Sequence, residues 1–345
     1  MEAIGRRVLL TTPYLYSQRG NAITTARLAA GLKEAGFSVD VAEFRGNQDS
    51  GSIKTMIARE RYDLLHCLHG LSCGSLLEDV PELRHLPLIL TTTGTDINGK
   101  WSETEEELIS LAFSHARELV VFNSEFKRFF CEHYPSLISR VRVIPQGVKL
   151  PPVKSLIKSD LGLNPRSVVF LLPSGLRPIK SLEVAIKAFK GINVKVPSYL
   201  LIVGAIIDKE YGEKIMDLIS GEDSIKYLGE LPHEEMGGIM SLSDIVLNTS
   251  YAEGQPQGVL EAMSLGKPAI LSAVPGNIGI LKNGLEGYYF NNELELRNKM
   301  ETLILDSVLR ERLGSRASQL VKDRFSVEKE IRSYCLLYEG ILTSQ

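Results

Sequence analysis

The sequence of 345 residues lacks the patterns that would link it to metals, membranes or nucleic acids. Its four cysteines are scattered, with no Cys-x2-Cys or other metal-binding spacing, which favours reduced and mostly buried thiols. No apolar run approaches the length of a signal-peptide core or a membrane span. The formal net charge of -3 gives no electrostatic reason to expect nucleic acid. We therefore expect a cytoplasmic protein without an integral membrane segment.

Two cofactor patterns are also missing. The sequence has no Gly-x-Gly-x-x-Gly, which argues against a nicotinamide dinucleotide site. No Asp-x-Asp stands at the end of a predicted strand, so no metal-assisted phosphate site is expected. We predict no cofactor and no Mg²⁺ dependence.

What is present is typical of a soluble α/β protein with two domains. With 44% hydrophobic and 23% charged residues the composition is ordinary, and the length is sufficient for two cores. Short apolar runs alternate with helical patterns, which indicates doubly wound parallel sheets. We predict strands at 8–12, 37–44, 62–68, 86–93, 119–122 and 141–144, and then at 168–172, 199–203, 225–228, 244–248, 269–272 and 287–290.

A segment rich in proline and glycine, Pro145–Pro152, separates the two series of strands and is typical of a hinge. We therefore predict a first domain at 1–150 and a second at 151–325, both Rossmann-like and facing across a cleft. The tail at 326–342 has apolar residues at helical spacing and predicts a final helix.

The most informative stretch runs from Ser250 to Met263, SYAEGQPQGVLEAM, between a predicted buried strand and a helical pattern. Glu253 then lies in a loop at the carboxyl end of a strand, where ligands bind in open α/β sheets. Glu261 lies about two turns into the helix. Two carboxylates placed in this way can hold a polyhydroxylated ligand from two sides. On spacing alone, however, two solvated glutamates are the commoner arrangement.

Followed by Gly266-Lys-Pro268, the Glu253-x7-Glu261 pattern resembles the signature of the retaining GT-B glycosyltransferases of family 4, also called group 1. The resemblance implies the GT-B fold, with a final helix that crosses back to the first domain. Within the motif, Gln255 and Pro256 stand where relatives usually have Phe and Gly. Because proline has no N–H, one backbone donor to the sugar or phosphate is missing.

The resemblance also implies roles for residues of the second domain. Arg177 and Lys180 follow a strand before a helix, and two cations at a helix N-terminus make an anion site, here assigned to the donor diphosphate. Many relatives have this arginine where Gly175 stands, so Arg177 would be an alternative clamp. Glu253 would bind donor-sugar hydroxyls, and Glu261 would bind the ribose. The further donor-binding residues of the second domain are Gly204, Leu231, Gly254, Gln255, Gln257 and Gly258. Gly20 and Asn21 of the first domain are also assigned to donor binding.

In the first domain, Gly20 and Asn21 can form a tight turn before a helix and resemble the glycine loop of these enzymes, although a simple turn with Asn21 as the N-cap fits nearly as well. His66 is expected to point into the sheet, whereas His69 emerges into a loop and by resemblance reaches the donor sugar or reaction centre. A structural or exposed histidine is about equally expected.

Thr95 and Asp96 are predicted to lie on the acceptor side. Asp96 would bind a hydroxyl or amine, or else cap the next helix in an Asx-turn. Relatives often carry a histidine where Thr93 stands, which leaves no acid–base group at that position. The patterns around Gly20 and Asp96 are also similar to those of animal glycosyltransferase 1 domain-containing proteins and bacterial selenosugar synthases.

The resemblance implies an enzyme that moves a sugar from a nucleotide-diphosphate sugar, with UDP favoured, to an unidentified small-molecule or glycan acceptor. We expect retention by metal-independent front-face displacement, in which stabilisation of the leaving diphosphate is the main catalytic effect. The alternatives are a sugar-nucleotide epimerase or phosphorylase, a selenosugar or thiosugar synthase, and a non-catalytic nucleotide-sugar-binding subunit.

Peripheral membrane contact is a further hypothesis, because Phe126–Phe130 can form a small amphipathic patch. A surface helix whose aromatic residues turn into the core is the favoured alternative. The sequence leaves the oligomeric state open.

Overall fold

The computed structural model describes residues 5–15, 20–150 and 156–343, and the chain divides into two compact units. Unit 1 contains residues 1–147 and 327–345, and unit 2 contains residues 148–326. The division falls three residues before the boundary predicted from the sequence. Two predicted segments lie outside the described part of the chain: residues 16–19, directly before Gly20, and residues 151–155, which contain the end of the predicted hinge.

The described residues of unit 1 form a parallel sheet of six strands in the order β2-β1-β3-β4-β5-β6. The strands are β1 Arg7–Thr12, β2 Ser38–Glu43, β3 Leu64–Leu68, β4 Leu88–Thr91, β5 Glu118–Val121 and β6 Val141–Val143. Helices connect them: α1 Gly20–Glu34, α2 Ser50–Arg59, α3 Gly70–Asp79, α4 Thr95–Asn98, α5 Glu103–His115 and α6 Ser124–His133.

The described residues of unit 2 repeat this architecture, with a parallel sheet in the order β12-β11-β10-β7-β8-β9. Its strands are β7 Val168–Pro173, β8 Ser198–Val203, β9 Ile225–Tyr227, β10 Ile245–Asn248, β11 Ala269–Ser272 and β12 Gly287–Phe290. Its helices are α7 Leu182–Lys190, α8 Lys209–Ile219, α9 His233–Leu242, α10 Gln257–Ser264, α11 Glu293–Leu305 and α12 Ser307–Arg324. All the predicted strands are present.

The apolar runs form strands because both faces of each sheet are covered. In β3 and β10 every residue is buried, which is why these strands show no alternation of polar and apolar residues. In each unit, two clusters of buried apolar side chains lie on the two faces of the sheet. The carboxyl ends of the parallel strands therefore share one edge, where the loops are free to carry function.

The last helix, α13 Val327–Thr343, belongs to unit 1, as the resemblance implied. It packs on α1, where the Arg27 guanidinium donates to both carboxylate oxygens of Glu330, at 2.7 Å from Nε and 3.0 Å from Nη2. The Glu330 side chain is 1% exposed and that of Arg27 is 9% exposed. This fork-to-fork pair binds the end of the chain to its beginning.

Two tyrosines of α13 reach the polar side chains of the central strands. Tyr338 Oη lies 2.6 Å from Nδ1 of His66, and Tyr334 Oη lies 3.0 Å from Oγ1 of Thr91. The other ring nitrogen of His66 lies 2.8 Å from that same hydroxyl of Thr91. Burial lowers the pKa of His66 to about 3, so the ring is neutral at physiological pH. His66 therefore points into the packing, as predicted.

The aromatic residues of α6 turn into the core. Phe126 and Phe130 are fully buried among the apolar side chains of unit 1, and Phe129 packs against the same cluster. The favoured alternative for this segment is therefore confirmed.

We expect Glu330→Ala to lower the free energy of unfolding by about 3–5 kcal/mol, because it leaves the Arg27 guanidinium buried without its counter-charge. Equilibrium urea denaturation measures the change. Glu328→Ala, an exposed position on the same helix, is the matched control and should cost less than about 1 kcal/mol. Equal losses in the two variants would contradict the role given to the pair.

Candidate active site

The loops that follow β7 and β10 meet at the carboxyl edge of the unit 2 sheet. The two strands are neighbours and parallel, so their ends lie side by side. The amide of Tyr251 donates to the carbonyl of Ile179 at 2.9 Å, and the hydroxyl of Thr249 donates to the carbonyl of Lys180 at 3.0 Å. These bonds place the predicted phosphate loop next to the predicted sugar loop.

Glu253 is the centre of this edge. Its Oε1 accepts hydrogen bonds from Lys180 Nζ at 2.6 Å, Ser250 Oγ at 2.6 Å and Asn248 Nδ2 at 2.8 Å. Burial raises the pKa of Glu253, but the charge and hydrogen bond of Lys180, helped by Ser250 and Asn248, bring that pKa below its ordinary value. The buried carboxylate is therefore ionised and fixed in one orientation.

A second layer of polar groups holds Asn248. Its Oδ1 accepts from Asn277 Nδ2 at 3.0 Å and from the Ser250 amide at 3.1 Å. Asn277 is fully buried, and its Nδ2 also lies 3.0 Å from the carbonyl and from the hydroxyl of Ser272. A Cβ at Gly276 would come within 2.1 Å of the Glu253 carbonyl, so only glycine fits there. The side chain of Asn277 therefore supports Asn248.

Glu261 lies in the second turn of α10 and is buried. Its Oε1 accepts a hydrogen bond from Nε2 of His233, the first residue of α9, at 2.9 Å. This bond raises the pKa of His233 above its ordinary value, against the opposite effect of burial. The sequence analysis missed His233, although this histidine lies two residues after Leu231, a predicted donor-binding residue.

The two predicted phosphate cations lie in a different local structure from the one expected. The half-buried Arg177 directly precedes a 3-10 turn, Pro178–Lys180, and α7 begins only at Leu182, after Ser181 in the left-handed conformation at φ 48°. The cations are therefore presented by a tight turn before the helix and not by its first turn.

The glycines of unit 2 mark close approaches of the backbone. Gly204 directly follows β8, and a Cβ there would come within 2.3 Å of the Ser174 carbonyl, so the ends of β7 and β8 lie close together. A Cβ at Gly258 would lie 3.2 Å from Pro173, so the start of α10 packs closely on the end of β7. The remaining predicted donor residues are Gly254 and Gln255 in the loop after β10, Gln257 as the first residue of α10, and the partly buried Leu231 before α9.

In unit 1, His69 joins the ends of two neighbouring strands. It follows β3 with a φ of 80°, a conformation that is uncommon for a residue other than glycine and that costs free energy. Its Nε2 lies 3.1 Å from the hydroxyl of Thr95, and its ring packs edge-on against that of Trp101, with 6.1 Å between centroids. Its Nδ1 is buried and has no hydrogen-bond partner within the described ranges. The catalytic role of His69 stays a prediction.

Asp96 is occupied by the backbone. Its carboxylate accepts from the amides of Gly70 at 2.8 Å, Thr93 at 2.9 Å and Gly94 at 2.8 Å, and it is 3% exposed. The side chain thus ties the loop after β3 to the loop after β4. All three amides precede Asp96 in the chain, so the carboxylate forms neither the N-cap nor the Asx-turn, which would bond to amides that follow it. This geometry favours a structural role over the predicted contact with an acceptor.

Gly20 and Asn21 are the first two residues of α1, so they form its first turn and not a turn before it, and Asn21 is not an N-cap.

No helix in the described part of the chain is long and apolar enough to cross a bilayer. Among the same residues, no three His, Cys, Asp or Glu side chains cluster as metal ligands.

Comparison with solved structures defines the class of fold. Anabaena HepE, crystallised with UDP and glucose, superposes with a TM-score of 0.81 over 97% of this chain and 100% of its own, at 18% identity. Sucrose-phosphate synthase from Thermosynechococcus elongatus superposes with a TM-score of 0.87 over 99% of this chain and 100% of its own, also at 18% identity. The protein has the GT-B architecture of two Rossmann-like domains.

Sequence comparison then shows what the chain is similar to. Residues 153–320 match the model of the glycosyl transferases group 1. It is 25% identical to glycosyltransferase 1 domain-containing protein 1 of Xenopus tropicalis, over 93% of this chain and 94% of that protein. It is 24% identical to N-acetyl-alpha-D-glucosaminyl L-malate synthase of Bacillus anthracis, over 82% and 76%.

Removal of the Lys180 charge should destabilise unit 2, because Glu253 is then left buried and ionised without its cation. We expect Lys180→Met to lower the free energy of unfolding by about 3 kcal/mol, and Glu253→Gln in the same chain to restore most of the loss. Urea denaturation of the single and double variants measures both effects. Lys187→Met, an exposed position on α7, is the control. A double variant as unstable as Lys180→Met would argue against the ion pair.

Proposed function

We propose that the protein is a glycosyltransferase that moves a sugar from a nucleotide-diphosphate sugar to an acceptor, with retention of the anomeric configuration. The observation that carries this proposal is the ionised, oriented Glu253 with Lys180 on its Oε1, in the region that matches the family. A buried carboxylate beside a cation at the end of parallel strands fits a ligand that carries both hydroxyls and a diphosphate.

The side-chain hydrogen bonds of Glu253 involve only one of its two carboxylate oxygens. All three side-chain donors end on Oε1, and the described residues provide no donor to Oε2. A fixed carboxylate with one oxygen uncommitted is suited to accept the hydroxyls of a donor sugar. Glu253 then orients the sugar, while Lys180 stays within reach of the adjacent diphosphate.

Charge develops on the leaving diphosphate, and Arg177 and Lys180 are the groups proposed to stabilise it. Lys180 is already held at 2.6 Å from Glu253, so little reorganisation is needed when the charge appears. With two cations in this role, the proposed reaction needs no metal. The acceptor would attack from the face of the departing phosphate, and the leaving oxygen would take its proton.

UDP is the favoured nucleotide, because HepE shares the fold and was crystallised with UDP and glucose. The acceptor is unassigned. The relative from Bacillus anthracis is named for L-malate, a small hydroxy acid, which supports screening small molecules first. A small selenium or sulfur nucleophile remains the alternative acceptor within the same class. We also propose that the protein is located in the cytoplasm.

A nucleotide-sugar site should raise the thermal stability of the protein when a matching ligand is present. We expect UDP-sugars at 100 times their dissociation constant to stabilise by about 2.7 kcal/mol, and GDP- and ADP-sugars to have less effect. Thermal unfolding with the three sets of donors measures this, and the shift should be absent in Glu261→Ala. No shift with any donor would contradict the proposal.

Arg177→Ala should lower turnover about 100-fold with the fold intact, because it removes one cation from the developing phosphate charge. The measurement is release of UDP from the donor identified by thermal unfolding, with water as the acceptor, and NMR of the released sugar reports its anomeric configuration. Arg166→Ala, an exposed arginine of the same unit, is the control. Unchanged turnover in Arg177→Ala would refute the assignment.

The same assay separates the alternatives. Tight donor binding without turnover, over a broad panel of acceptors, would identify a non-catalytic binding subunit. An epimerised donor, or product formed with phosphate as the acceptor, would identify an epimerase or a phosphorylase.

A further inference from the structure

A histidine and a carboxylate from two consecutive helices form a hydrogen-bonded dyad in unit 2. His233 opens α9, Glu261 lies in α10, and Nε2 of His233 is 2.9 Å from Oε1 of Glu261. The Glu261 side chain is 7% exposed, whereas that of His233 is 28% exposed. The histidine thus reaches from the surface to a carboxylate that solvent barely touches.

The surroundings of Glu261 explain why it needs this partner. Its chain neighbours Leu260 and Ala262 are fully buried, so the carboxylate stands on an apolar helix. A buried carboxylate is costly unless donors satisfy it. Within the described residues, His233 is the one side chain that donates to it. The orientation of this carboxylate therefore depends on a single imidazole N–H.

The bond from His233 also determines which carboxylate oxygen of Glu261 is left to bind a ligand. With Oε1 committed to His233, Oε2 is the acceptor that remains for a ligand. His233 lies two residues after Leu231, which is one of the predicted donor-binding residues. A vicinal diol offers two hydroxyl donors, and the uncommitted oxygen of a fixed carboxylate is suited to receive them.

We propose that His233 is a positioning residue for the nucleotide: it holds Glu261 so that Oε2 accepts hydrogen bonds from the 2′- and 3′-hydroxyls of the ribose. This inference rests on the proposed function, since it requires a nucleoside diphosphate at this edge of unit 2. It differs from an ordinary packing role because the effect of His233 on binding must depend on the ribose hydroxyls.

The dependence on the hydroxyls gives a chemical double-mutant cycle. The probes are UDP and 2′,3′-dideoxy-UDP, titrated calorimetrically into the wild-type protein and into His233→Ala at fixed pH. We expect His233→Ala to weaken UDP binding about ten-fold, the effect of one hydrogen bond to a charged group, and to leave binding of dideoxy-UDP within about two-fold. An equal loss for both probes would mean that His233 serves packing only and would overturn the proposal.

Three further variants serve as controls and keep the test valid if His233→Ala does not fold. His233→Gln keeps an N–H donor at a similar reach and should retain most of the UDP affinity. Glu234→Ala, an exposed neighbour on α9, should bind both probes like the wild type. If His233→Ala does not fold, His233→Gln is compared with His233→Met, which keeps the bulk without the donor. A Met variant that binds UDP as tightly as the Gln variant would also overturn the proposal.

The cycle separates the failure of this inference from the failure of the function. A wild-type protein that binds none of UDP, GDP and ADP contradicts the proposed glycosyltransferase itself. If the wild type prefers GDP or ADP, the same cycle is run with that nucleotide and its 2′,3′-dideoxy form. A nucleotide that binds with no selective loss in His233→Ala contradicts only the role of His233.

Discussion

The candidate site depends on one buried ion pair. Lys180 and Glu253 come from loops after two different strands, and 2.6 Å separates Nζ from Oε1. The pair costs desolvation on both sides, and hydrogen bonds from Ser250 and Asn248 offset part of that cost on the carboxylate. Because Asn248 is held in turn by Asn277, the loops after three neighbouring strands, β7, β10 and β11, share one polar network. A change in any of these loops is transmitted to the orientation of Glu253.

The strands were predictable because they are short, apolar and separated by clear helical patterns. The sheet edge that carries the loops followed from the parallel order, and Glu253 and Glu261 followed from the resemblance of their motif to the family signature. The sequence could not show that Lys180 bonds to Glu253, because the two residues are 73 positions apart and either one alone fits a solvated charge. Side-chain pairing across strand ends depends on the order of strands in the sheet, which sequence patterns leave open.

In the loops of unit 1, one predicted site residue makes contacts that the sequence did not indicate. The position of Asp96 was expected to mark an acceptor site, yet its carboxylate is used by backbone amides that join the ends of β3 and β4. Those bonds hold the loop in which His69 has a positive φ. Asp96 therefore matters by shaping the surroundings of His69. A polar residue at a strand end indicates this kind of edge but does not tell which groups it bonds to.

The position of α13 has a consequence for synthesis on the ribosome. Unit 2 is inserted, in sequence, between the first 147 residues of unit 1 and its last helix. The Tyr338 hydroxyl that bonds to His66 and the Glu330 carboxylate that neutralises Arg27 come from that helix. During translation, His66 and Arg27 of unit 1 therefore remain without their α13 partners until the whole of unit 2 has been made. We expect unit 2 to complete its fold first, and unit 1 to complete its packing only after α13 has been made.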